Sequence, residues 1–142
     1  MNILSINPAD NSVNKKYRSH TAKQVKQKVE QTHLAWQKWR LTTFRERSTL
    51  LYKMAGILNE RKAGLARLMA VEMGKPLKQG VAEIEKCAAV CNYYAASGEG
   101  FLKDQLIETD ATKSYVTFQP IGVVLAVMPW NFPFWQVFRF LA

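Results

Sequence analysis

The pattern of apolar residues between positions 21 and 58 predicts two amphipathic helices. Thr21 with Gln24, and Thr43 with Glu46, have the spacing of a capping box, in which two side chains satisfy free backbone N–H groups at a helix start. Apolar positions then recur at helical spacing, which places them on one face of each helix. The first face comprises Val25, Val29, Thr32, Trp36 and Trp39, and the second comprises Leu51, Met54, Ala55 and Leu58.

Two further helices are predicted on either side of a glycine–lysine–proline turn. One should run from about residue 61 to residue 73, because Gly74 can adopt the left-handed conformation that ends a helix and Pro76 cannot continue one. The next should end near Gly98. Its apolar face comprises Leu77, Val81, Ile84, Ala88, Cys91 and Ala95.

Beyond Leu102 the pattern changes to one that is typical of β-strands. The β-branched and aromatic residues 114–119 predict one arm of a hairpin, with residues 106–109 as the other arm. Residues 123–128 are continuously apolar, which predicts a strand of a parallel sheet that is covered on both faces. Pro133 suits the first turn of a helix, where its missing N–H has no cost. The order of elements therefore predicts an α/β fold.

The composition is that of an ordinary globular protein, with 48% hydrophobic and 22% charged residues among 142. The longest largely apolar stretch, residues 121–130, is far shorter than the ~20 residues that a helix needs to cross a bilayer. The first residues lack the positively charged region and the small-residue cleavage site of a signal peptide, so none is expected. Two cysteines in such a chain favour a reducing compartment, so we expect a cytoplasmic protein.

The formal net charge of +9 is concentrated near the N-terminus. A basic segment of this kind could bind nucleic acid, but no recognisable nucleic-acid-binding module accompanies it. The favoured interpretation is a solvated helix face without a nucleic-acid partner. The residues concerned are Lys15, Lys16, Arg18, Lys23, Lys26 and Lys28.

Cys87 and Cys91 lie four positions apart on an apolar helix face. Cysteine is among the most buried residue types, which favours a packing role for both thiols. A zinc site would need two further ligands, and His20 and His33 lie on a distant segment. No metal site is therefore predicted.

Asn131 is the main candidate for chemistry. It follows the predicted apolar strand and lies between two aromatic residues, Trp130 and Phe132. A carboxamide N–H held at the end of a strand can donate a hydrogen bond to a developing oxyanion. Asparagine is also a favoured helix N-cap, and the spacing alone favours the cap.

Four segments, in order along almost the whole chain, resemble the aldehyde dehydrogenase superfamily. They are INPAD near the N-terminus, EMGKP at residues 72–76, Glu83 with the YYA of residues 93–95, and PIGVVLAVMPWNFPFWQVFRF at residues 120–140. Within the superfamily the last segment is most similar to that of succinate-semialdehyde dehydrogenases. The resemblance implies the N-terminal, incomplete part of an NAD- or NADP-dependent enzyme that forms a homo-oligomer.

The resemblance also implies roles for individual residues. Asn131 matches the asparagine of the family's oxyanion hole, and Met128, Pro129 and Trp130 match residues that line the nicotinamide side of the cofactor cleft. Arg139 matches an arginine that contacts the substrate carboxylate in succinate-semialdehyde dehydrogenases, and a guanidinium suits a carboxylate bidentately.

The resemblance divides the chain into three parts. Residues 1–101 form the N-terminal helical part of the cofactor-binding domain, residues 102–119 an oligomerisation-type β-hairpin, and residues 120–142 the first strand and the start of the first helix of the Rossmann-like, dinucleotide-binding fold. The family's nucleophilic cysteine and its glutamate base belong downstream of residue 142, so the chain is expected to be inactive alone. The alternative is a catalytically inactive fragment that serves only in subunit interaction.

Overall fold

The computed structural model describes residues 2–142, which form four helices and two small antiparallel sheets. Each sheet has two strands, β1 with β2 and β3 with β4. The elements in chain order are β1 (Asn2–Ile6), β2 (Val13–Arg18), α1 (Ala22–Trp39), α2 (Phe44–Met73), α3 (Leu77–Phe101), β3 (Gln105–Leu106), β4 (Tyr115–Val116) and α4 (Pro133–Leu141).

The core lies between α2 and α3, which form an antiparallel helical hairpin. The two helices are in tight contact at Gly80, where an added Cβ would lie 2.9 Å from the Cβ of Ala66. About one helical turn further along the contact, Lys62 and Glu85 form an exposed ion pair with an Nζ–Oε1 distance of 2.5 Å. The buried cluster comprises Ala55, Leu58, Met69, Ile84, Cys87, Ala88 and Cys91, which confirms the packing role of both cysteines.

The predicted helix boundaries are confirmed where a local signal sets them. Thr21 and Thr43 both form complete capping boxes with the residues three positions later. Gly74 ends α2 with a φ of 74°, in the left-handed region that glycine adopts without steric cost. The prediction of a separate helix beginning near residue 61 is wrong, because α2 runs unbroken through residues 59–62. That stretch contains neither glycine nor proline, and residues on both sides of it pack against α3.

The prediction of one basic helix face is also wrong. Lys15, Lys16 and Arg18 lie on β2, whereas the other three basic residues of the group lie on α1. None of the α1 residues is buried, although the helix has the apolar face expected from its sequence.

The β1–β2 hairpin is attached to α2 by two side-chain hydrogen bonds. Ser5 donates to the Glu72 carboxylate, and Asn14 donates to the carbonyl oxygen of Val71 at 2.8 Å.

The β-hairpin predicted within residues 102–119 is present but short. Only Gln105–Leu106 and Tyr115–Val116 form a ladder, extended by a hydrogen bond of 2.9 Å from the Ile107 N–H to the Ser114 carbonyl. Leu106 and Ile107 are exposed, so the hairpin projects from the helical core.

The predicted strand over residues 123–128 does not form, and the backbone of residues 117–129 is irregular. A strand of a parallel sheet needs neighbours to satisfy its N–H and C=O groups, and the described residues 2–142 provide none beside it. Leu125 and Val127 are accordingly 88% and 86% exposed. An apolar run specifies a strand only when partner strands are available.

Helix α4 begins at Pro133, as predicted, and lies against the helical hairpin. Phe134, Trp135 and Phe138 pack against the buried cluster, so α4 contributes to the core. None of the helices among residues 2–142 is long and apolar enough to span a membrane.

The close approach at Gly80 predicts that Gly80→Ala destabilises the protein. Ala66 contributes both its Cβ and, at 3.0 Å, its backbone Cα to the clash, so one helix must shift. We expect overpacking to lower the free energy of unfolding by about 1–3 kcal/mol. Urea denaturation measures this change as a lower midpoint.

Gly64→Ala provides the matched control on α2. Beyond the adjacent backbone of its own helix, nothing lies within 4 Å of the added Cβ, and the helix propensity of alanine should stabilise the protein by about 0.5–1 kcal/mol. A Gly80→Ala variant as stable as Gly64→Ala would contradict the described packing of α2 on α3.

Candidate functional site

The turn that carries Asn131 leads directly into α4, and Asn131 is not the cap of that helix. Phe132 occupies the N-cap position and Pro133 the first turn. Phe132 has no side-chain oxygen that could accept from the free N–H groups at the helix start. The exposed carboxamide of Asn131 is therefore not used as an N-cap.

Glu83, from the second turn of α3, supplies the missing acceptor. Its Oε1 accepts hydrogen bonds from the backbone N–H groups of Phe134 and Trp135, both at 2.9 Å. The N-terminus of a helix carries a partial positive charge, which favours a carboxylate at this position. Glu83 thus caps a helix that lies 51 residues further along the chain.

Lys75, from the turn between α2 and α3, completes the arrangement. It forms an ion pair with Oε2 of Glu83, and the side chains of the pair are only 6% and 2% exposed. The Nζ of Lys75 also donates to the backbone carbonyl oxygen of Asn131 at 3.2 Å and lies 4.0 Å from the ring centroid of Phe132. The buried charges are therefore satisfied by each other and by the backbone of the Asn131 turn.

A pocket of about 530 Å³ lies beside this arrangement, between α3 and the first turn of α4. Lys86 lies over the ring of Trp135, with its Nζ 3.9 Å from the centroid. The pocket wall is therefore amphipathic. It comprises Lys75, Gln79, Ala82, Glu83, Lys86, Phe132, Trp135 and Gln136.

The three residues predicted to line a cofactor cleft lie in the irregular segment just before Asn131. Met128 is half-buried, Pro129 is exposed and Trp130 is 76% exposed. Trp130 also borders a hollow between α2 and Pro133. The chain thus brings these residues next to Asn131 and leaves the indole of Trp130 accessible.

Arg139 lies about two turns into α4 and is exposed. Its Nη2 donates to Oε1 of Gln136 at 2.8 Å, so the side chain is directed along the helix surface toward the Asn131 end. The guanidinium keeps further donors free for another acceptor, because it carries five N–H groups.

The sequence indicated the importance of Asn131 and its neighbours but not the connection made by Lys75 and Glu83. A signal was present, since Glu83 falls on the buried face of α3 between Gly80 and Cys87. A charged residue on an otherwise apolar face is a candidate for a buried ion pair. Its partner and its contact with α4 depend on how the chain folds.

Comparisons with known proteins agree with this description of the chain. The model of the aldehyde dehydrogenase family matches residues 1–142. A probable succinate-semialdehyde dehydrogenase [NADP(+)] from Synechocystis is 45% identical over the whole chain, and the chain covers 31% of that protein. The succinate-semialdehyde dehydrogenase [NADP(+)] of Mycobacterium leprae is 39% identical, with 32% of its length covered.

The structure also resembles solved structures. The crystal structure of succinic semialdehyde dehydrogenase from Streptococcus pyogenes, in complex with NADP+, superposes with a TM-score of 0.90 at 34% identity. The match covers 96% of this chain and 30% of that protein. The chain therefore spans about a third of the length of its relatives and has the fold of the N-terminal part of their α/β architecture. It belongs to the aldehyde dehydrogenase family.

Proposed function

We propose that this chain provides the oxyanion-stabilising side chain, one wall of the nicotinamide site and the substrate-carboxylate contact of an NAD(P)-dependent succinate-semialdehyde dehydrogenase. The observation that carries the proposal is the Asn131 turn at the start of α4. The chain that contains it is 45% identical to the probable succinate-semialdehyde dehydrogenase [NADP(+)] of Synechocystis. The relatives' names specify NADP, which favours NADP over NAD for this chain. Two free thiols suit a reducing, cytoplasmic location.

Asn131 has the chemistry that an oxyanion hole needs. Its carboxamide donates hydrogen bonds without carrying a charge, it is exposed, and its backbone is held by Lys75. When a nucleophile adds to an aldehyde, negative charge develops on the carbonyl oxygen, and a donor already in place stabilises it. The irregular backbone of Met128 and Pro129 and the open indole of Trp130 fit a flat ring packed beside that carbonyl. A bound nicotinamide supplies the hydride acceptor.

Arg139 gives the proposal its substrate class. Succinate semialdehyde carries a carboxylate at the end remote from the aldehyde, and α4 places a guanidinium about two turns from Asn131. A charge-assisted pair at that distance would orient the substrate with its aldehyde toward Asn131.

The nucleophile must come from outside residues 1–142. Burial, and to a lesser extent the negative charge of Glu83, raise the pKa of Cys87 to about 12. Burial also raises the pKa of Cys91. Both thiols therefore stay protonated at neutral pH, and only the thiolate is an effective nucleophile.

The projecting hairpin of residues 103–119 is proposed to contribute to contacts between subunits of a homo-oligomer. Apolar side chains on a short, exposed sheet favour burial against a partner. They are Leu106, Ile107, Tyr115 and Val116.

The chain alone should be inactive, and a completed enzyme should be active. We expect the purified 142-residue chain to produce no NADPH or NADH from succinate semialdehyde, because its thiols are buried and protonated. A chimera in which it replaces the matching segment of the Synechocystis relative should oxidise the substrate. Turnover by the chain that survives Cys87→Ser/Cys91→Ser, or a chimera that folds without activity, would contradict the proposal.

In the chimera, Asn131→Ala should lower kcat by about 10²–10³ with little change in KM, as expected for the loss of one oxyanion donor. Steady-state kinetics with saturating cofactor measure both constants. Asn92→Ala, an exposed asparagine of α3, is the matched control and should leave both unchanged. If kcat of Asn131→Ala stays within a few-fold of the parent, the carboxamide does not stabilise an oxyanion.

Arg139→Ala in the chimera should discriminate between aldehydes. A charge-assisted hydrogen bond contributes about 1.5–3 kcal/mol, so kcat/KM for succinate semialdehyde should fall at least about tenfold. An uncharged aldehyde of similar length should lose little. The control is Arg67→Ala, which removes an exposed arginine of α2. Equal losses on both aldehydes would argue against succinate semialdehyde as the substrate.

A further inference from the structure

We propose that Lys75 and Glu83 act as a positioning pair for Asn131, so that this buried ion pair sets kcat through the orientation of the Asn131 carboxamide. This inference rests on the proposed function of Asn131. It goes beyond that function because neither residue belongs to the proposed oxyanion, nicotinamide or carboxylate contacts. It assigns a kinetic role to two side chains that could otherwise be regarded as structural.

The first ground is that the Asn131 turn is held from outside itself. Neither Phe132 nor Pro133 offers a side-chain acceptor, and the structure gives α4 no side-chain cap of its own. Glu83 binds the backbone N–H groups of Phe134 and Trp135, and Lys75 binds the carbonyl oxygen of Asn131. Backbone groups on both sides of Phe132 are thus fixed by the same two side chains.

The second ground is the geometry of the contact between Lys75 and Asn131. The carbonyl oxygen of Asn131 belongs to the peptide plane that joins it to Phe132, so a donor on that oxygen limits rotation of the plane. The Asn131 side chain is attached to the Cα at one edge of this plane. Limiting the rotation between the plane and that Cα therefore also limits the direction of the carboxamide. An oxyanion donor is effective only when it points to the place where charge develops.

The third ground is the rigidity of the support. Lys75 follows Gly74, which ends α2 in a left-handed conformation, and Glu83 lies three residues after Gly80, where the two helices are in tight contact. Both charged groups are almost completely buried. A side chain held by packing on a helix positions a second group more accurately than one on a mobile loop.

The test uses the chimera and the double variant Lys75→Met/Glu83→Gln. Methionine keeps the apolar volume of lysine but cannot donate to Asn131, and glutamine keeps an oxygen that can cap α4. The double variant also avoids leaving one buried charge without its partner. We expect kcat to fall about tenfold or more, KM to stay within about twofold, and the urea midpoint to stay close to that of the parent.

The chain offers a matched control in the ion pair between Lys62 and Glu85. This pair joins the same two helices, but its side chains are 41% and 48% exposed. Lys62→Met/Glu85→Gln should leave kcat unchanged, because an exposed ion pair contributes little and this one has no contact with the Asn131 turn.

The decisive measurement repeats the Lys75/Glu83 double variant in an Asn131→Ala background. If the pair acts through the carboxamide, it should have no further effect on kcat once that carboxamide is gone. If its effect on kcat is undiminished, or if the double variant has normal kcat in the parent, the positioning role is wrong while the function of Asn131 stands. If Asn131→Ala itself leaves kcat unchanged, the proposed function fails first.

Lys75→Met alone is the second variant, for use if the double variant does not fold. It removes the donor to the Asn131 carbonyl, while the Glu83 carboxylate keeps its two hydrogen bonds to the start of α4 and the favourable helix dipole. The same comparison with and without Asn131→Ala applies. A kcat equal to that of the parent would overturn the inference.

Discussion

The carboxylate of Glu83 is the contact on which the placement of the candidate site depends. Helix α4 begins after Phe132 and Pro133, so its first free N–H groups have no acceptor nearby in the chain. Unsatisfied donors at a partly buried helix end are costly, and a carboxylate satisfies two of them while interacting favourably with the helix dipole. Its own charge can be buried only because Lys75 is paired with it. The turn before α3, α3 itself and the start of α4 are thereby joined at one point.

The helical hairpin of α2 and α3 makes that contact possible. The absence of a side chain at Gly80 allows the two helices to approach closely, and the apolar cluster between them fixes their register. Lys75 and Glu83 then lie at one end of a rigid unit, and α4 adds Phe134, Trp135 and Phe138 to its core. Packing and electrostatics therefore act on the same helix, which explains how nine residues form a helix although so short a segment is marginal alone.

The contrast between α4 and the preceding segment reflects how backbone groups are satisfied. A helix forms its hydrogen bonds internally, whereas a strand forms them with neighbours. Residues 123–128 have the composition of a buried strand and no neighbouring strand among residues 2–142, so they remain irregular and expose Leu125 and Val127. The Synechocystis relative is about three times as long as this chain, which covers 31% of it.

Features that depend on a few adjacent residues could be predicted from the local sequence. The capping boxes at Thr21 and Thr43 and the left-handed stop at Gly74 are local, and each was predicted correctly because its partners lie within one turn. The order of motifs also identified the family and drew attention to Asn131. Features that depend on distant partners were set by the folded structure. In the structure, the two predicted helices form one helix, α2, residues 123–128 do not form a strand, and the Glu83 carboxylate lies at the start of α4. These outcomes depend on packing and hydrogen bonding between distant segments, which are set by the fold and not by local spacing.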